Sequence, residues 1–270
     1  MFRLFVFNAH LYLLFLSPNY ISMIIIGIIP ARYDSTRFPG KPLVDVNGKI
    51  MIQRVYEQVK KVLPYVCIAT DDNRIKEAVL NFGGEVVMTS RHHQSGTDRC
   101  AEAVVNFENL KGIKADVVIN IQGDEPFIDP IQIQQLADIF SDKSAEIATL
   151  IRKVTDIKTL ENPNVVKVVK GNTGNALYFS RSCIPFVRNF NTDEWLARHD
   201  FYQHVGMYGY KKSVLMDICK LQKGILETTE SLEQLRWLEN GYRITTAVTD
   251  IESVGIDTPE DLAEVLSKFK

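Results

Sequence analysis

The chain has 270 residues of which 46% are hydrophobic, enough apolar material to bury one sizeable core and too much for a disordered polymer. Its 31 Lys and Arg stand against 33 Asp and Glu, so there is no global basic field of the kind that non-specific nucleic-acid binding relies on, and any anion site must be local. The four cysteines, Cys67, Cys100, Cys183 and Cys219, are widely spaced with no C-x-x-C pair, which argues against a zinc ribbon or a disulfide scaffold and fits a reducing, cytoplasmic compartment.

The chain opens with MFRLFVFNAHLYLLFLSPNYIS, apolar and aromatic, with one charge at Arg3. Its uninterrupted apolar run falls short of the roughly 20 residues a spanning helix requires, and no small-x-small cleavage site precedes the apolar run at Ile24. Residues 1–22 therefore read as an extension outside the main domain, and 23–270 as a single domain whose working start is Met23. From Ile24 onward short β-branched runs alternate with helical segments, the rhythm of βαβ units around a mainly parallel sheet. Strands are predicted at Ile24 to Ile29, Tyr65 to Ala69, Glu85 to Met88 and Asp116 to Ile121. Between them MIQRVYEQVKKV places Ile52, Val55, Tyr56, Val59 and Val62 at helical spacing. DNRIKEAVLNFGG reads as a second helix stopped by Gly83 and Gly84, TDRCAEAVVNF as a third capped by Ser95 or Thr97, and PIQIQQLADIF as a fourth with Pro130 in its first turn. After Glu146 the runs EIATLIRKV, NVVKVVK, ALYFS and QHVGMYGYKK crowd together, which predicts hairpins or edge strands added to the sheet. RNFNTDEWLARHD reads as a mobile or interface-forming insertion.

Ligands of open α/β sheets bind at the carboxyl ends of the strands, so the loop after the first strand is well placed for substrate. It carries neither G-x-G-x-x-G nor G-x-x-x-x-G-K-[ST], which removes the sequence basis for a dinucleotide fold or a P-loop NTPase. What it does carry is Arg32, Arg37 and Lys41, with Pro30, Pro39 and Pro42 stiffening the backbone and Gly40 allowing a sharp bend. Holding like charges together on a preorganised loop costs repulsion unless an anion compensates, and guanidinium groups suit bidentate phosphate contact, so a polyphosphate is the natural ligand.

Two acidic motifs come later in the chain. NIQGDEP sets Asp124 and Glu125 after an apolar strand, and GIDTPEDL sets Asp257 before a helix. A dication held by one or two carboxylates plus substrate phosphates needs acidic residues converging from separate loops in this way. Turn chemistry beside Gly123 explains Asp124 comparably well, and Thr258, Pro259 and Asp261 make an N-cap, first-turn proline and capping-box pattern that would explain Asp257. HHQSGTDR offers adjacent histidines without further spaced metal ligands. Its Ser95-Gly96-Thr97 could let backbone groups approach a flat base edge, could cap a helix, or could do both.

At these residues the sequence resembles the sugar-activating nucleotidylyltransferases, and within them the cytidylyltransferases that make CMP-Kdo from 3-deoxy-manno-octulosonate (Kdo). IIPARYDSTRFPGKPL matches the family's opening signature. ATDD, GGEVVMTSRHHQSGTDR, NIQGDEPFI, NPNVVKVV, ALYFSRSCIPF, HVGMYGY, ESLEQLRWLENG and GIDTPEDL come after it in family order, so the resemblance spans Met23 to Lys270. It implies an α/β, Rossmann-like nucleotide-diphospho-sugar transferase fold, a mainly parallel mixed sheet flanked by helices. It further implies CMP transfer from CTP to the anomeric hydroxyl of Kdo in lipopolysaccharide biosynthesis, Mg2+ as cofactor and a homodimer. Asp124 and Asp257 inherit the metal-binding role, with Glu125 at most in support, and Arg32 and Lys41 join them as catalytic residues. The nucleotide side takes Arg32, Ser35, Lys41, Ala69, Thr70, Ser95, Gly96, Thr97 and Gln122. The sugar side takes Arg181, His204, Tyr208, Glu233 and Gln234. The local pattern agrees: on a helix from about Thr229, Leu232, Leu235 and Leu238 share one stripe while Glu230, Glu233 and Gln234 share another face. Arg37 is assigned no phosphate contact and is read as holding the loop's shape. Kdo's 8-amino analogue and a nine-carbon sialic acid are the alternative sugars, and the EQLR and HVGMYGY segments match the Kdo branch better than the sialic-acid branch. A non-catalytic nucleotide-binding protein on the same fold is the alternative of a different class; it would not need both carboxylates.

Overall fold

The computed structural model describes residues 23–34 and 37–268. The N-terminal extension, 1–22, and the candidate nucleotide ligand Ser35 lie outside the described residues.

The first half follows the predicted rhythm. Strand β1 (Ile25–Ala31) is followed by a small hairpin, β2 (Asp45–Val46) and β3 (Lys49–Ile50), and by helix α1 (Met51–Lys60). Then come β4 (Tyr65–Thr70), α2 (Asn73–Asn81), β5 (Val86–Met88), α3 (Gly96–Lys111), β6 (Val117–Asn120) and α4 (Pro130–Asp138). Local chemistry sets the helix starts: Asp72 caps α2 by accepting from the Arg74 amide, and Asp129 caps α4 from the Ile131 amide at 2.8 Å, with Pro130 in the first turn. The two readings of Ser95 and Thr97 resolve in favour of Ser95, whose hydroxyl accepts from the Asp98 amide while the Asp98 carboxylate accepts from the Ser95 amide, a complete capping box.

The second half comprises β7 (Ile147–Lys153), α5 (Ile157–Glu161), β8 (Lys167–Lys170), β9 (Ala176–Ser180), α6 (Trp195–Arg198), β10 (Tyr202–Lys211), α7 (Lys212–Ile218), α8 (Ile225–Glu230), α9 (Gln234–Glu239), β11 (Ile244–Val248) and α10 (Pro259–Lys268). The nine-stranded sheet runs β11-β7-β10-β6-β1-β4-β5, with β8 and β9 as an antiparallel hairpin branching from β10. β1 pairs parallel with both β4 and β6, and β4 with β5. The prediction of hairpins or edge strands holds for the β8–β9 hairpin and fails for β7, which lies between β11 and β10, and for β10, which lies inside the sheet, antiparallel to both β6 and β7. Its buried run from Met207 to Tyr210 is covered on both faces, which an edge strand would not require. β11, parallel to β7 at the sheet's end, escaped the sequence reading.

Helices cover both faces. On one, Ile26, Ile28 and Val118 pack with Cys100, Val104 and Phe107 of α3 and with Trp237 of α9. On the other, Ile29 and Ile119 pack with Ile52, Val55 and Val59 of α1, Ile75 of α2 and Leu136 of α4. Within RNFNTDEWLARHD, Trp195 is buried, lies parallel to Phe201 with ring centroids 5.9 Å apart, and donates its indole N–H to the Phe190 carbonyl at 3.1 Å, while the other residues of the segment are exposed or half-buried.

Candidate active site

Strand order turns back at β1, whose neighbours β4 and β6 belong to chain segments leaving in opposite directions across the sheet. The crevice at such a switch point, beyond the strands' carboxyl ends, is where open α/β sheets hold ligands. The loop leaving β1 is closed on itself by the Gly40 amide, which donates to the Tyr33 carbonyl at 2.9 Å, and Gly40 has φ +75°, the left-handed conformation that glycine adopts without strain. The Arg74 guanidinium lies over the Tyr33 ring, 3.2 Å from its centroid. A 3-10 turn over Lys41–Leu43 with buried Pro42 then fixes the root of Lys41.

From that root the Lys41 ammonium reaches Asp124 Oδ2 at 2.8 Å and Asp257 Oδ1 at 3.0 Å, residues 83 and 216 positions away in the chain. Asp257 Oδ2 pairs with the Arg37 guanidinium at 3.0 Å. The two acidic loops are bonded to each other, since the Ile256 amide donates to the Asp124 carbonyl at 2.9 Å and Ile256 is buried with Val46, Met51 and Val265. The predicted cap after Asp257 is present: the Thr258 hydroxyl accepts from the Asp261 amide at 3.2 Å, and Asp261 Oδ2 accepts the amides of Asp257 and Thr258, each at 2.9 Å. Those amide bonds hold the Asp261 carboxyl below its ordinary range. Turn and cap chemistry thus aim Asp124 and Asp257 at one point instead of competing with a ligand role.

Two carboxylates sharing one cation at hydrogen-bond distance fit a hard dication. Among the described residues no group of three or more His, Cys, Asp or Glu gathers, so such an ion would complete its shell from phosphate and water. Glu125, next in the chain, is buried, and burial first and the Asp124 charge second push its carboxyl up to about 7. Arg32, at the end of β1, donates to the His93 carbonyl, and His93 pairs with Glu102.

The nucleotide-side candidates divide. Gly96 opens α3, whereas the Ser95 hydroxyl is committed to the cap. The Thr97 hydroxyl donates to Glu233 Oε2 at 2.7 Å, and Gln122 donates to the Gly206 carbonyl at 2.8 Å, where the pairing of β10 with β7 shifts register. Ala69 and Thr70 are wholly buried within the sheet, where they pack against neighbours and offer a ligand no exposed surface.

Of the sugar-side candidates, His204 and Glu233 each line an opening. A cleft of about 520 Å3 is lined by Glu125, Arg152, Gln203, His204, Gly206 and Ser253. A second, of about 430 Å3, is lined by Ser95, Lys223, Ser231, Glu233 and Arg236. Burial pushes His204 down to about 4, so it is neutral near pH 7 and meets a ligand as a hydrogen-bonding group, not as a cation. Its Nε2 lies 3.0 Å from Thr149 Oγ1, and its ring centroid is 5.0 Å from that of Tyr208. Arg181 is turned to the backbone, donating to the carbonyls of Glu230 at 2.8 Å and Pro163 at 3.1 Å. The single helix predicted from Thr229 is two: α8 ends at Glu230, Ser231 is left-handed with φ 53°, and α9 starts at Gln234. The break separates the three polar residues expected on one face. Glu230 accepts from the Ser180 hydroxyl at 2.6 Å and the Arg181 amide at 3.0 Å, Glu233 meets Thr97, and Gln234 is buried.

Sequence reasoning passed over Arg99, 1% exposed, which ties α3 to the end of β5 through Thr89 Oγ1 at 2.6 Å and to the loop after β4 through Asp71 Oδ2 at 2.7 Å. It also passed over the Arg236–Glu227 pair, bidentate at 2.7 and 2.8 Å. The available signal was the placement of Asp71 and Arg99 inside ATDD and GTDR, two motifs from separate parts of the chain.

A family model described as cytidylyltransferase matches residues 26–244. The 3-deoxy-manno-octulosonate cytidylyltransferase of Parabacteroides distasonis is 56% identical over 90% of this chain and 96% of its own length. The protein of the same name from Phocaeicola vulgatus is 54% identical over 91% of this chain and 97% of its own. A solved structure of CMP:2-keto-3-deoxy-manno-octonic acid synthetase complexed with CTP superposes with a TM-score of 0.82 at 40% identity, covering 91% of this chain and 98% of that one.

Proposed function

The chain belongs to the cytidylyltransferase family, and from that premise we propose that it transfers CMP from CTP to the anomeric hydroxyl of Kdo, releasing pyrophosphate, as a step in lipopolysaccharide biosynthesis. The observation that carries the reading is the convergence of Asp124 and Asp257 from separate loops on Lys41, at the carboxyl end of β1. In the reaction the anomeric oxygen attacks the α-phosphorus as the bond from that phosphorus to the pyrophosphate oxygen breaks, with no covalent enzyme intermediate. Catalysis then reduces to alignment and neutralisation of charge. Arg32 and Lys41 hold the phosphates. Asp124 and Asp257 would hold Mg2+, which when bound supplies charge neutralisation at the phosphates and acidifies the attacking hydroxyl. Gly96, Thr97 and Gln122 border the nucleotide, and His204, Tyr208 and Glu233 border the sugar. With His204 neutral and Arg181 held by backbone carbonyls, the sugar's carboxylate must be met chiefly by other donors.

Among the described residues no helix is long and apolar enough to cross a membrane, and the proposal places the enzyme in the cytoplasm as a homodimer, with 23–270 as one catalytic domain. The test is pyrophosphate release from CTP and Mg2+ with Kdo, its 8-amino analogue or a sialic acid supplied in turn. Release with Kdo is expected; silence with all three sinks the enzyme reading, and a preference for sialic acid sinks the narrower one.

A further inference from the structure

Three of the four oxygens of the Asp124 and Asp257 carboxylates are already engaged by cations of the chain itself. Lys41 takes Asp124 Oδ2 at 2.8 Å and Asp257 Oδ1 at 3.0 Å, and Arg37 takes Asp257 Oδ2 at 3.0 Å. Two carboxylates face one ammonium and one guanidinium, so the local charge is balanced before any ion arrives. We propose that Lys41 and Arg37 are resident counter-ions that close the dication site until a triphosphate draws them off, which makes metal and nucleotide binding mutually dependent. The proposal rests on reading Asp124 and Asp257 as the metal-holding pair.

The two cations are built to move. Lys41 is rooted in a 3-10 turn by buried Pro42 and by the Met51 amide, which donates to the Val44 carbonyl at 2.8 Å, but its ammonium rides on a flexible four-carbon stem. The same root lets it face carboxylates or phosphate. The Arg37 side chain is 65% exposed, and its planar fork suits paired phosphate oxygens as well as a carboxylate. A dication entering alone must expel an ammonium from the two oxygens it needs, and it adds charge to a neutral site. A triphosphate instead supplies negative charge that takes up both cations, leaving bare carboxylates beside its own oxygens. By linkage, whatever affinity the nucleotide adds for the metal, the metal adds for the nucleotide. Arg37 thereby acquires a positioning role, holding Asp257 while the site is empty and releasing it when the nucleotide arrives.

The test titrates nucleotide-free protein with Mn2+ alone, read by electron paramagnetic resonance and calorimetry, in wild type, Lys41→Gln, Arg37→Gln and Asp124→Asn. Removing a cation about 3 Å from the carboxylates should raise Mn2+ affinity about tenfold in Lys41→Gln and by a smaller factor in Arg37→Gln. An unchanged or weaker affinity in Lys41→Gln overturns the proposal. If circular dichroism finds that variant unfolded, Arg37→Gln decides, because its exposed side chain leaves the fold undisturbed. Asp124→Asn separates the two layers of the argument. If adding it to Lys41→Gln leaves the Mn2+ affinity of that variant undiminished, the metal reading itself fails, whereas loss there without a gain over wild type in the cation variants refutes only the counter-ion role.

Discussion

Replacing Gly123 by alanine tests whether close backbone contact sets the position of Asp124. An added β-carbon would lie 2.8 Å from the Pro30 carbonyl oxygen, with Ile52 Cδ1 and Ile29 Cγ2 at 3.4 and 3.5 Å. Carbon and oxygen rest at about 3.3 Å, so the loop must retreat by roughly 0.5 Å. Pro30 lies within β1, in register with Ala69 of β4, and is held by that pairing; the shift therefore falls on the loop that carries Asp124. Overpacking of this kind costs about 1–3 kcal/mol, and since a 1 Å misplacement can cost roughly a hundredfold in rate, kcat should fall about tenfold or more. Urea denaturation and pyrophosphate release measure the two losses. Gly255→Ala is the control: its added carbon meets nothing within 4 Å although it lies two residues from Asp257, so it should stay within about 0.5 kcal/mol of wild type. Stability and kcat unchanged in Gly123→Ala would refute the reasoning, as would equal losses in both variants.

Asp124→Asn should lower turnover far more than it weakens CTP binding, as measured by kcat against the CTP dissociation constant; equal losses would mean that the carboxylate serves binding alone. Glu125 gives metal-free protein a particular pH dependence. Its folded pKa of about 7 lies above the ordinary 4.5, so its contribution to stability is full below about pH 4.5 and is lost as the pH rises through 7, on the order of 3 kcal/mol. The stability difference between wild type and Glu125→Gln, followed by denaturation from pH 4 to 8, should decline across that window, and a flat difference contradicts it. Arg99→Met should cost about 3 kcal/mol in thermal or urea unfolding, because it leaves the Asp71 carboxylate without its buried partner; a loss under 1 kcal/mol would show the pair to be dispensable.

The fold of the first half was legible because its signals are local: helical spacing in MIQRVYEQVKKV, the glycine stop at Gly83 and Gly84, the cap at Ser95, Pro130 in a first turn, and apolar strands covered on both faces. The second half was less so. Where β10 inserts is decided by pairing with β6 and β7 over long sequence separations, and no alternation within HVGMYGY reports it. The helix broken at Ser231 was missed because an i, i+3, i+4 pattern assumes continuity, and a single left-handed serine carries no compositional mark. Of the site, the acidic and basic motifs were each visible, but their roles rested on resemblance. That Asp124, Asp257, Lys41 and Arg37 meet is a product of the Ile256–Asp124 backbone bond, which joins chain segments more than a hundred residues apart, and of the local Thr258–Asp261 cap beside Asp257. The neutrality of His204 depends on burial, which sequence spacing does not encode.

The docking of Ile256 beside Asp124 also sets a timetable. Synthesis runs from the N-terminus, so the loop bearing Lys41 and the strand leading to Asp124 leave the ribosome while the last carboxylate is still to be added. Until Ile256 is buried among Val46, Met51 and Val265, Lys41 faces one aspartate where the finished protein gives it two. A chain stopped between residues 249 and 256 would carry all nine strands of the main sheet and Lys41 yet lack half of the acidic pair.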